Sequence, residues 1–137
     1  MTNEGMDKLK ALIAEYQSDV NLEQYMLEEK TMLAPTYVAK WIMMYAKHSS
    51  ELEALKDKYD LLKENESAVI RKSLKIDACD ADIKKLKLKY DTQLNDLAVK
   101  ISDHTAILKV IGELKTAMGW FRNDVKNALD YRRLEGV

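Results

Sequence analysis

The chain has 137 residues, 33% of them charged and 47% apolar, punctuated by one proline, four glycines and one cysteine. That balance excludes a turn-rich sheet protein and a disulfide scaffold; it predicts one all-α domain, with the single Cys79 suiting a reducing, cytoplasmic setting. The formal net charge of −1 hides an asymmetry: residues 1–34 hold seven acids and three bases, residues 35–137 sixteen acids and nineteen bases, so an anionic partner is expected to meet the later part. The longest apolar run, Trp41 to Ala46, is too short to span a membrane. The N-terminus also lacks the basic, then apolar, then small-residue order of a secretion signal.

In chain order, Met6, Leu9, Leu12, Ile13 and Tyr16 recur at helical spacing after Asn3, a suitable cap, and predict a first helix over residues 5–17. Ser18 and Asp19 interrupt it. Leu22, Tyr25, Met26 and Leu27 predict a second short piece running to about Thr31, and Ala34 and Pro35 should end it and open the next helix. From Pro35 a heptad stripe follows: Val38, Trp41, Tyr45, His48, Leu52, Leu55, Tyr59 and Leu62. Ser50 to Glu53 resembles a capping box, but the stripe crosses it unbroken, so one helix is expected over 35–75. Ile76 to Asp80 loses the periodicity and reads as a turn. The final helix, 80–134, is capped by Asp80 and closed by Gly136, with a ladder of Ile83, Tyr90, Leu97, His104, Ile111, Met118 and Val125. Leu86, Ile107, Leu114, Phe121 and Ala128 hold the position three residues later, and Leu94 and Ile101 widen the stripe where Gln93 and Lys100 interrupt it. Gly112 and Gly119 each cost about 1 kcal/mol against alanine in a helix, which predicts a bend or a junction of two helices near Met118 to Trp120.

These elements predict short acidic N-terminal helices (1–34) followed by a long antiparallel hairpin. A hairpin this elongated buries little per residue, so the chain is expected to complete its core as a homo-oligomer larger than a dimer, held by Leu114, Met118, Phe121 and Val125.

Catalytic patterns are lacking. His48 and His104 occupy heptad core positions and read as packed residues, not as general bases. Gly112 and Gly119 sit in apolar helical sequence, and Lys115 lacks the strand context of a nucleotide site. Asp77, Asp80 and Asp82 depart from calcium-loop spacing at Lys84 and read as helix capping. No cofactor or metal is expected. The basic residues say more: Arg71, Lys72 and Lys75 end the first long helix without an acid between Glu66 and Asp77, and Lys84, Lys85, Lys87 and Lys89 open the next. Repeated around an oligomer, such a patch becomes a track that neutralises many phosphates.

The run from Lys40 to Leu52, KWIMMYAKHSSEL, resembles the Lys-Trp and Lys-His-Ser-Ser signature of the UvsY family, the recombination mediator proteins of T-even-type bacteriophages. Arg122 to Arg133 is similar to the C-terminal helix of that family, and Asp80 to Lys89 to the segment opening its preceding helix. The resemblance implies a non-enzymatic helical protein of DNA recombination, repair and replication in the infected host cytoplasm. It implies a closed homo-oligomer, a hexamer or heptamer, that binds single-stranded DNA and helps a phage RecA-like recombinase replace the phage single-strand-binding protein. The DNA-binding residues then expected are Lys63, Arg71, Lys72, Lys75, Lys84 and Lys85, although no aromatic stands beside Arg71 and Lys72 as in the family pattern. The acids Glu15, Asp19, Glu23, Glu28 and Glu29 are a candidate docking surface for protein partners. The alternative is a coiled-coil scaffold whose lysines are merely solvated.

Overall fold

The computed structural model describes residues 1–21 and 27–136. They form three α-helices and no strand: α1 (Asn3–Asp19), α2 (Leu27–Lys75) and α3 (Asp80–Leu134). The short piece expected around Leu22 to Met26 lies outside the described residues, and from Leu27 onward the chain already belongs to α2.

The caps fall one residue earlier than expected. Thr2, not Asn3, is the N-cap of α1: its backbone is extended and its hydroxyl oxygen accepts from the Gly5 N–H at 3.1 Å. The same threonine reaches α3, donating its backbone N–H to Asp103 Oδ1 at 3.2 Å and its hydroxyl to the Asp103 carboxylate. Cys79 takes the N-cap place of α3, so Asp80 and Asp82 act in the first turn, where negative charge complements the helix dipole. At the far end Gly136 adopts φ 75°, a left-handed conformation suited to glycine, and donates to the Arg133 carbonyl.

Neither the helix start expected at Pro35 nor a junction of two helices near Met118 to Trp120 is present. Pro35 lies inside α2 instead of starting a helix. A proline within a helix deprives the carbonyl four residues back of its donor, about 3 kcal/mol or more. Here that residue is Thr31, and Thr31 and Pro35 both line an open groove where solvent has access. Ala34 beside it is buried, and that packing helps carry the helix through the proline. α3 likewise runs unbroken past Gly112 and Gly119. Gly112 serves close approach: a Cβ there would meet the Tyr45 ring at 3.2 Å.

The core sits where all three helices overlap. Leu12 of α1 and Trp41 of α2 close on Ile107, Ile111, Met118, Phe121 and Val125 of α3, with Tyr16, Val38, Tyr45 and Leu114 packed around them. Trp41, Ile111, Met118 and Val125 are wholly buried. Three of the four residues expected to hold an oligomer, Met118, Phe121 and Val125, are therefore consumed within one chain, and Leu114 packs against the same cluster. The ladder had the correct face, but α1 and α2 of the same chain cover it.

Away from α1, α2 and α3 pack as a pair. Leu52, Leu94 and Leu97 are its buried apolar residues, while Leu61, Leu74, Ile76 and Leu88 stay exposed. One flank carries a groove lined by Lys58, Leu61, Leu62 and Asn65 with Gln93, Asp96, Leu97 and Lys100. The other carries one lined by Tyr59 and Asp60 with Ala98, Ile101 and Ser102. The two helices bury only part of their apolar stripes against each other, because each stripe is wider than a single partner covers.

Candidate nucleic-acid interface

Between Ser67 and Lys89, across the end of α2 and the start of α3, there are seven bases and three acids, a local net charge of +4. Lys63, Arg71, Lys72, Lys75, Lys84 and Lys85 are all exposed. Among the described residues none of the six has a carboxylate within ion-pair reach. Their charge is thus available to an outside anion. Asp77, at φ 51°, turns the chain between the helices, so the Arg71–Lys75 and Lys84–Lys85 groups end and begin adjoining elements. Lys63 differs from the rest. It shares a shallow groove with Arg71, but Asp60 and Glu64 line that groove too and weaken its appeal to phosphate.

A second basic surface lies at the other end of α3, where Arg122, Lys126 and Arg133 line a groove with Thr31, Pro35, Val38, Asn123, Leu129 and Asp130. It combines cations with an apolar floor, and Gly119 keeps it open, since nothing lies within 4 Å of a Cβ placed there.

The acidic surface expected at the N-terminus is largely spoken for. Asp19 is buried; its Oδ2 accepts from Trp41 Nε1–H at 3.0 Å and pairs with Lys40 Nζ at 2.7 Å. Glu15 also pairs with Lys40, at 2.9 Å. Glu28 and Glu29 remain exposed at the start of α2, and Glu23 lies outside the described residues. Sequence reasoning missed what these acids do. The last turn of α1 has no basic residue of its own, so α2 supplies the cations its negative end requires. Buried Lys30 donates from Nζ to the carbonyls of Ser18 and Asp19, both at 3.3 Å, and to the Tyr37 hydroxyl at 3.4 Å. Lys40 is held above the ordinary lysine range: burial, the largest influence, lowers it, but hydrogen bonds to Asp19 and Glu15 outweigh that. The available signal was the Lys-Trp pair itself, a cation adjoining a large aromatic on a buried stripe.

His48 and His104 face one another across α2 and α3, half-buried. Burial pushes His48 below its ordinary value; Glu51 opposes this, while His104, Lys47 and Lys8 add to it.

No family model, curated protein or solved structure matches the chain. Among the described residues no helix is long and apolar enough to cross a membrane.

Proposed function

We propose that this chain is a non-enzymatic recombination mediator that binds single-stranded DNA and helps a RecA-like recombinase displace a single-strand-binding protein. The observation that carries the reading is the exposed basic stretch formed by Arg71, Lys72 and Lys75 with Lys84 and Lys85, unpaired with any carboxylate among the described residues. Such a surface suits a polyanion whose backbone is bound without reading its bases. In this reading α2 and α3 form an antiparallel hairpin with the basic stretch at its tip. Support comes from the pairing of successively later α2 residues with earlier α3 residues: Pro35 with Arg122, Tyr45 with Gly112, Leu61 with Leu97. Several copies close into an oligomer through the apolar flanks of the two-helix section, Leu61 and Leu62 on one side, Tyr59 and Ile101 on the other. One basic tip per copy then engages a strand at many weak points. A strand bent around such an assembly is a poor lattice for the single-strand-binding protein, and a recombinase docked on the same assembly nucleates there.

The test measures oligothymidylate binding against salt for the native chain, for Arg71→Glu with Lys72→Glu, and for Arg122→Glu with Lys126→Glu. For every phosphate that a variant no longer neutralises, the log–log slope should flatten by roughly 0.7. Equal binding by the native chain and the Arg71 and Lys72 variant dismisses the tip, and weakening confined to the second variant moves the interface to the groove at the end of α3. Strand exchange on DNA precoated with single-strand-binding protein then tests mediation. A native chain that binds DNA yet never relieves the inhibition refutes it.

A further inference from the structure

We infer that His48, Glu51 and His104 form a binding site for a divalent transition metal of the zinc class, with α2 and α3 each contributing ligands to one ion. His48 and Glu51 stand three residues apart on α2, which places both on one face of the helix, and His104 meets them from α3. The ligand atoms all lie within 4.8 Å of one another, and His48 Nδ1 is 3.8 Å from Glu51 Oε2. An ion bonded at about 2.0–2.1 Å to each ligand sets tetrahedral neighbours roughly 3.4 Å apart, so side-chain rotation closes the trio.

A second observation points to the same ligand. The Nδ1 atoms of both histidines are buried and have no hydrogen-bond partner among the described residues. Buried polar atoms in a native protein are nearly always satisfied, and a cation held among His48, Glu51 and His104 would give such imidazole nitrogens a partner. The donor set selects the ion. Two imidazoles and one carboxylate suit zinc, cobalt or nickel, whereas magnesium and calcium favour oxygen ligands. Three protein ligands leave a coordination position for water or another donor. The ion would clamp α2 to α3 where α1 ends its cover of the pair, near Lys8 and Asp103, and its action is structural and independent of DNA binding.

The experiment uses the full chain without a histidine tag, stripped with chelator, in a Cys79→Ser background so that the exposed thiol cannot ligate. Cobalt(II) titration should give a visible ligand-field band saturating at one ion per chain, displaced by zinc, and zinc should raise the melting temperature. His48→Ala and His104→Ala should each lose the band and the thermal shift. Glu51→Gln, at an exposed position, should retain the fold and bind more weakly. If a histidine variant loses its helical circular dichroism, the Glu51 variant decides. No band with cobalt in large excess, or unchanged affinity in Glu51→Gln, overturns the three-ligand site.

Discussion

Trp41 donates its indole N–H to Asp19 at 3.0 Å, and both residues are withdrawn from water. The bond joins the last residue of α1 to the centre of the α2 core stripe, while Tyr16 meets the same indole edge-on at 5.7 Å between ring centroids. Trp41→Phe keeps most of the apolar volume but leaves the Asp19 carboxylate with Lys40 as its one side-chain partner among the described residues. A loss of about 1–3 kcal/mol is expected in urea unfolding. Asp19→Ala should cost at least as much, since it strips Trp41 of its acceptor and leaves Lys40 with Glu15 alone of its two acids.

Lys30 caps α1 from outside that helix. Lys30→Met retains the stem but removes the donor to the Ser18 and Asp19 carbonyls. Hydrogen exchange should speed up in the last turn of α1 while the α2–α3 core keeps its protection. Uniform loss across all three helices would show instead that α1 and the core unfold as one unit.

The two helical glycines should respond with opposite sign. Gly119→Ala adds a methyl group in open space and should stabilise by about 0.5–1 kcal/mol. Gly112→Ala pushes against Tyr45 at 3.2 Å, so the same propensity gain is offset or reversed. Thermal melts of the two variants decide this, and equal stabilisation would mean that Tyr45 swings away freely.

The docking of α1 should fail in base. Lys40 titrates above its ordinary value through Asp19 and Glu15 despite its burial. Tyr16 is also raised, first by burial and then by the Asp124 charge. A group whose folded pKa is raised contributes stability that is complete below its unfolded pKa and disappears as pH rises through the folded one. Both residues therefore act in the same direction: α1 stays docked at neutral pH and loosens above the ordinary tyrosine and lysine ranges. Trp41 fluorescence should report this, with a midpoint shifted in Lys40→Gln.

Met118→Ala should cost about 2–5 kcal/mol in the unfolding of a single chain, because Met118 is wholly buried within it. Leu61→Asp, at an exposed position on the two-helix section, should spare that stability and reduce the molar mass seen by light scattering. A mass change in the reverse pattern would return the contact between copies to the C-terminal stripe.

The sequence by itself determined the helical class, the faces and the turn. Seven-residue spacing put Leu97, Ile111, Met118 and Val125 inward, and the loss of period at Ile76–Asp80 marked, to within a residue, where α2 ends and α3 begins, because a side chain's direction on a helix follows from its position alone. What covers each face was decided only by tertiary structure. Periodicity shows that Phe121 and Val125 need a partner but not whether it is another copy or α1 and α2 of the same chain, and here it is the latter. Pro35 read as a break and Gly112 as a weak point because propensity is local. Packing overrode it, through the buried Ala34 beside the proline and the Tyr45 ring against the glycine. Nor could spacing reveal that Asp19 and Glu15, acids of a solvated-looking helix, answer Lys40, or that His48 and His104, 56 positions apart, converge on Glu51. Those are contacts across the bundle, fixed by how the three helices settle against one another.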